Sequence, residues 1–383
     1  MNDLVKEEDE TLDPRIVAGW QALESGDVDE ARAAADTVLG TAPATAKATA
    51  TAVDATRMDA LLLRAACARE EGDADAAMES LELAAKEDPE WCTPELWMAE
   101  VLSEDADRLD EALRHARRAL DRAEEEDDYL AALAAKAAIE LDLGRPTEAR
   151  KTLSGLPPGD APLEDVGMNL DFAQLLMDAG DPTEARVRLK TLTESEPGLS
   201  DAWYLLGVAA ELLNDEEAKR AAWIKTRGLD LEGGCGHNHS QDHGQGQDHD
   251  HDHHHHDHHH DAPELTEEAL IAVAEETLAE MPEELRAHLH NVPIVVADLP
   301  AATDVAAGMD PRLLGLFSGT PHAETAGVLD PPTLTEILLF RKNIERTAYD
   351  EESLRTEIRT TLLHEAGHFF GLDEAALARL GLD

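Results

Sequence analysis

At 383 residues the chain is long enough for two or more domains, and its 83 acidic against 32 basic side chains leave a formal charge of −51. That charge makes nucleic acid and anionic membranes poor partners, although a saline cytoplasm would favour the same acidity. Three cysteines supply no disulfide framework, no apolar run approaches the length of a membrane span, and Met1-Asn2-Asp3-Leu4-Val5-Lys6 begins no basic-then-apolar leader. These traits predict a cytoplasmic protein that binds neither nucleic acid nor membrane.

Residues 1–13 read as an acidic, disordered start. From residue 14 to 232 one short element recurs: Gly26-Asp27-Val28-Asp29-Glu30-Ala31, Gly72-Asp73-Ala74-Asp75-Ala76-Ala77, Asp107-Arg108-Leu109-Asp110-Glu111-Ala112, Gly144-Arg145-Pro146-Thr147-Glu148-Ala149, Gly180-Asp181-Pro182-Thr183-Glu184-Ala185 and Asn214-Asp215-Glu216-Glu217-Ala218. The steps between the final alanines are 46, 35, 37, 36 and 33 residues. The long first step holds the Ala/Thr-rich stretch Thr41–Thr51. Each element divides two Ala/Leu-rich helical stretches, and Pro89 and Pro197 close two units. Asp201-Ala202-Trp203-Tyr204-Leu205-Leu206-Gly207 opens the last unit, and the region resembles tetratricopeptide repeats. The resemblance implies helix pairs stacked into a superhelix whose concave side binds a protein or peptide. A spacer or oligomerisation role is the alternative. Trp20, Trp91, Trp97, Trp203 and Trp223 are expected in the repeat core rather than in a ligand cage.

Residues 233–262 form a His/Asp-rich stretch that holds twelve of the eighteen histidines. Gly, Gln and Asp interleave them, so no packed core is expected and the segment reads as a disordered tether. Clustered neutral imidazoles at His251, His253, His254, His255, His256, His258, His259 and His260 would bind Zn²⁺, Ni²⁺ or Cu²⁺ weakly, with Cys235 a further soft donor. As a plain tether, the 27 residues from Cys235 to Asp261 would span roughly 30 Å.

Residues 263–383 alternate helix and strand patterns. A helix is expected over Thr266–Glu280, then strands at Val292–Ala297, Leu313–Phe317 and Glu336–Arg341. Asp350 reads as an N-cap with Glu351 and Glu352 in the first turn, and Leu354, Ile358 and Leu362 form an apolar stripe every four residues. That helix would carry His364-Glu365-Ala366-Gly367-His368. One helical turn separates His364 from His368, so both imidazoles can reach one zinc ion. Glu365 lies where a carboxylate can take a proton from water activated by the metal. Gly371 can reverse the chain and bring a downstream acid to the metal. Spacing favours Glu374 as that third ligand, and residue type favours the shorter Asp373. Whichever acid is unused would cap a terminal helix over Ala375–Leu380. Tyr349, His322 and Arg341 are candidates for stabilising a tetrahedral intermediate.

The ordered set Val292–Asp298, Leu314-Gly315-Leu316-Phe317-Ser318-Gly319, Ile337–Arg341 and Thr361–Gly371 resembles the minimal zincin-like metallopeptidases of bacteria. The resemblance covers roughly residues 264–383 and implies a small α+β fold, with His364 and His368 as ligands and Glu365 as catalytic base. The family position for the third ligand is usually Asp, and this chain has Glu374 there. The fold class expected is therefore multidomain, an all-α tetratricopeptide-like solenoid followed by a small α+β zincin-like domain. The function expected is hydrolysis of a peptide or protein substrate, with partner binding through the repeats. The competing expectation is a non-catalytic metal-handling or interaction scaffold.

Overall fold

The computed structural model describes residues 13–40, 50–161, 163–232, 266–280, 292–320, 333–347 and 351–369. The His/Asp-rich stretch, the Ala/Thr-rich insertion over 41–49 and everything after Phe369 lie outside the described residues.

One backbone device builds most turns of the N-terminal region. Helices pair as α1 (Pro14–Glu24) with α2 (Val28–Gly40), α3 (Ala50–Glu70) with α4 (Ala74–Glu87), and α5 (Thr93–Ser103) with α6 (Leu109–Arg122). They continue as α7 (Glu126–Asp142) with α8 (Pro146–Leu153), α9 (Val166–Asp178) with α10 (Pro182–Ser195), and α11 (Ser200–Leu212) with α12 (Glu216–Glu232). Gly26, Gly72, Gly144 and Gly180 close the first helix of their pairs at φ between 68° and 81°, and Asn214 does so at 58°. A residue with a bulky side chain resists this left-handed conformation, so glycine or asparagine marks the stop. The aspartate that follows starts the next helix. Asp27 Oδ1 accepts from the Glu30 amide at 3.0 Å, and Asp73, Asp181 and Asp215 accept equivalently from Ala76, Glu184 and Ala218.

Two turns depart from this pattern. Asp107 stands where the others have glycine, and the chain there forms a 3₁₀ turn, Ala106–Arg108, capped by Asp105 Oδ1 on the Asp107 amide. Arg145 supplies no side-chain cap, and Pro146 at the first helical position starts α8 instead.

The repeating alanines explain why the helices approach so closely. Ala31, Ala77, Ala112, Ala149 and Ala185 are all fully buried. Ala77 and Ala112 lie in one cluster with Leu62, Leu81, Leu102 and Leu113, and Ala31 in another with Ile16, Leu63 and Val38. Trp20 and Trp97 meet edge to face with centroids 6.4 Å apart, and Trp223 is buried.

The chain divides into two compact units, Met1–Arg188 and Leu189–Asp383, with the boundary inside α10. The second unit therefore holds α11 and α12 together with the C-terminal sheet. Its remaining elements are α13 (Glu267–Glu280), β1 (Ile294–Ala297), α14 (Ala302–Ala307), β2 (Gly315–Thr320), β3 (Thr333–Phe340), α15 (Arg341–Thr347) and α16 (Glu351–Phe369).

The strands order β1-β3-β2. β1 runs parallel to β3, pairing Ile294 with Ile337 and Val296 with Leu339. β2 runs antiparallel to β3, pairing Gly315 with Leu339 and Phe317 with Ile337, with a register shift between Ser318 and Gly319. Because side chains alternate across a strand, Ile294, Val296, Phe317, Ile337 and Leu339 share one face. That face packs with Leu270, Val273 and Ala274 of α13 and Leu354, Ile358 and Leu362 of α16.

All three strands differ in bounds from the sequence reading, since β1 starts at Ile294 rather than Val292, β2 runs to Thr320 rather than Phe317, and β3 starts at Thr333 rather than Glu336. β3 stops at Phe340 because Arg341 opens α15, held by Asp298 Oδ1 at 2.7 Å. β2 starts at Gly315 rather than Leu313, since Asn343 Nδ2 donates to the Pro311 and Leu313 carbonyls at 2.9 and 2.8 Å and keeps that segment off the sheet. Among the described residues, no helix is long and apolar enough to cross a membrane.

Candidate metal centre

Helix α16 carries the His364-Glu365-x-x-His368 segment as continuous helix to Phe369. Its apolar stripe docks it, with Leu354, Ile358 and Leu362 all at 0% exposure. Ion pairs to α13 flank that contact, Arg355–Glu276 at 3.9 Å and Arg359–Glu280 at 2.5 Å.

At about 100° of rotation per residue, positions 361, 364 and 368 fall on one flank beside the buried stripe, and position 365 falls in line with the stripe itself. Thr361 on that flank is buried, while His364 and Glu365 are half-buried. The flank meets β2. A Cβ at Gly315 would lie 2.9 Å from Thr361 Cγ2 and 3.1 Å from the Leu338 carbonyl oxygen, so only glycine admits the helix this close to the strand. The start of β2 thus lies one helical turn from the first histidine of the motif.

Two imidazole-bearing positions one turn apart, with a carboxylate between them, form a donor set whose chemistry suits zinc. Among the described residues, no cluster of three His, Cys, Asp or Glu side chains completes a metal set. Asp373 and Glu374, the two candidates for the third ligand, lie outside the described residues, as do all eight tract histidines from His251 to His260.

Of the candidates for stabilising a tetrahedral intermediate, Tyr349 and His322 also lie outside. Arg341 is engaged elsewhere, pairing with Asp298 at 2.7 Å and Glu345 at 3.1 Å. The Asp298 hydrogen bond holds its guanidinium above its ordinary pKa range. It anchors the β1–α15 junction.

Sequence reading missed Asn343, 1% exposed, which shapes the approach to β2. It also missed Asp230, a buried acid on α12 that pairs with Arg346 of α15. Neither breaks a hydrophobic pattern, and each partner is distant in sequence, so no local signal marks them.

The fold agrees with comparisons to known families. Residues 289–382 match the family of zincin-like metallopeptidases. Two further stretches of the chain, 59–90 and 170–226, match tetratricopeptide repeat families. The chain thus carries a zincin-like metallopeptidase domain behind tetratricopeptide repeats. The zincin-like match includes His364, Glu365 and His368 and continues past the described end of α16.

No curated protein matches the chain. Among solved structures, the type IV pilus biogenesis factor PilW is 17% identical, covering 56% of this chain and 91% of its own, with a TM-score of 0.40. Pseudomonas aeruginosa PilF is 15% identical over 56% of this chain and 90% of its own, TM-score 0.40. YrrB, described as a tetratricopeptide repeat protein with an unusual peptide-binding site, is 20% identical over 49% and 95%, TM-score 0.36.

Proposed function

We propose that the protein is a cytoplasmic zinc-dependent peptidase whose repeats recruit a protein or peptide. The observation that carries this reading is helix α16, which runs unbroken through His364, Glu365 and His368 inside a segment that matches zincin-like metallopeptidases. His364 and His368 would hold the metal with Glu374 or Asp373. A bound zinc ion supplies Lewis acidity, polarising the scissile carbonyl and making water acidic near neutral pH. Glu365 accepts the proton from the attacking water and returns it to the leaving amine. The buried Leu354–Ile358–Leu362 stripe docks α16 on the sheet, which supports a fixed place for that carboxylate. A carboxylate between the two histidines favours catalysis over a purely structural site, which needs no base.

We place the peptidase domain at 263–383, the repeats at 14–232 and a metal-binding tether at 233–262, with the net charge disfavouring nucleic acid and membranes as partners. The tract histidines would take additional Zn²⁺, Ni²⁺ or Cu²⁺ weakly.

Digestion of a broad peptide library with added zinc, run beside Glu365→Gln, tests the reading. The variant should keep one tightly held zinc and lose hydrolysis by a factor of about 10² or more. Equal cleavage by both proteins removes Glu365 as the base. Several metals bound without any cleavage by the parent would favour a metal-handling scaffold.

A further inference from the structure

The last turn of helix α12 carries an acid that water barely reaches. Asp230 is 3% exposed, pairs with Arg346 at 2.8 Å and Arg312 at 3.5 Å, and accepts a hydrogen bond from Ser200 Oγ. Asp201, at the start of α11, pairs with the same two arginines at 2.6 Å (Arg312) and 3.6 Å (Arg346). Arg312 also lies over the Tyr204 ring, 4.5 Å from its centroid, and the Tyr204 hydroxyl donates to Asp310 Oδ2 at 3.1 Å. Two backbone carbonyls extend the contact: Pro300 accepts from Arg227 Nε, and Leu231 accepts from Lys342 Nζ at 3.3 Å.

The position of the two arginines gives this cluster a consequence. Arg312 lies in the segment that Asn343 holds just before β2, and Arg346 lies at the end of α15, where the chain runs on toward α16. Gly315 at the start of β2 meets Thr361, one turn before His364, and Ile344 of α15 packs in one cluster with Leu354, Ile358 and Leu362 of α16. The cluster is not a general cover for apolar surface, because Leu212, Ile224 and Leu231 stay 51%, 50% and 47% exposed. Two aspartates against two arginines balance in charge, and a desolvated acid depends on its cations being in place.

We propose that α11 and α12 form a wall of the zincin-like unit, and that Asp230 is a positioning residue for α16. Through Arg346 it holds the end of α15, and through Arg312 it holds the segment that leads into β2. The last repeat is then part of the machinery that aims the metal helix, in addition to ending the repeat array. Only the zinc measurement below rests on the proposed metal site.

The test uses the full chain with Asp230→Asn, Asp230→Glu and the milder Arg346→Gln, read by amide hydrogen exchange. Asp230→Asn should speed exchange at least tenfold in β2, α15 and the first turns of α16, leaving α1–α8 unchanged. Asp230→Glu should recover most of the protection. Zinc affinity, measured by competition with a chelator, should weaken several-fold in Asp230→Asn and recover in Asp230→Glu. Faster exchange confined to α11 and α12, with zinc affinity unchanged, overturns the proposal. If Asp230→Asn does not fold, Arg346→Gln decides by the same exchange pattern. A parent protein that binds no zinc defeats the metal reading, while the exchange pattern still judges the positioning role.

Discussion

The helix pairs of residues 13–188 and the sheet domain of residues 266–369 owe their order to contacts of opposite range. In the pairs, a glycine stops one helix and an aspartate starts the next within a few residues, as at Gly72-Asp73. Neighbouring helices then bury alanines such as Ala77 against each other. In the sheet domain, β1 finds its partner β3 only after β2 has intervened in the chain, and α13 reaches α16 across the whole domain. The lesson concerns cooperativity. A helix pair can be damaged locally, whereas the sheet domain loses its core as one body.

The largest expected effect tests that second half. Ile358 is fully buried between α13 and β3. Ile358→Ala should cost about 2–5 kcal/mol, a large part of a small domain's stability. Amide exchange should accelerate together in α13, β3 and α16 while α1–α8 stay protected. Acceleration limited to α16 would mean the sheet domain does not unfold as a unit. Trp20, Trp91 and Trp97 offer a control, since they lie in the first unit, Met1–Arg188, and report on the helix pairs rather than on the sheet domain.

A middle-sized effect tests the first half. Gly144 sits at φ 68° with open space where a Cβ would go, so alanine there meets backbone strain and no steric clash. Gly144→Ala should cost about 1–2 kcal/mol. The loss should appear in α7 and α8 and fade through their neighbours. A uniform loss over α1–α8 would show that the pairs melt together, and the contrast between the regions would narrow.

The same difference in range governs what the sequence made legible. Five of the six turns carried their own chemistry in Gly-Asp, Gly-Arg-Pro or Asn-Asp. The Asp107 element was readable by its spacing, yet nothing local announced that its turn would tighten into 3₁₀ geometry. In the sheet domain, the stripe Leu354–Ile358–Leu362 showed the buried face of α16, and the four-residue spacing put His364 and His368 one turn apart. Strand existence was legible from apolar runs. Strand order was not, because the parallel pairing of Ile294 with Ile337 depends on what packs around it. Asp298–Arg341, Asn343 and Asp230 were invisible for a related reason: a buried polar residue is recognisable only beside its partner. Asp373 and Glu374 still compete as third ligand, since spacing and residue type point to different acids.

The smallest expected effect returns to the helix pairs and concerns charge. Asp59 on α3 is half-buried, and that desolvation pushes its carboxyl up to about 6 from an ordinary 3.8. Between those values the folded chain holds a proton that the unfolded chain has released. Stability therefore falls as pH rises through this window, and the cost is fully present above about 6. Asp59→Asn removes the ionisable group while keeping nearly the same shape. At pH 7 the variant should be more stable by on the order of 1 kcal/mol, and at pH 4 or below the gain should vanish. Denaturant midpoints followed by the fluorescence of Trp20 and Trp97 measure both. An equal gain at the two pH values would assign the effect to packing, and no gain at either would mean that water reaches the carboxylate freely. A pH-dependent gain seen in the Trp signal, with no change of exchange in α13 or β3, would confine the Asp59 penalty to the helix pairs. It would also show electrostatic strain staying local where order comes from neighbouring contacts.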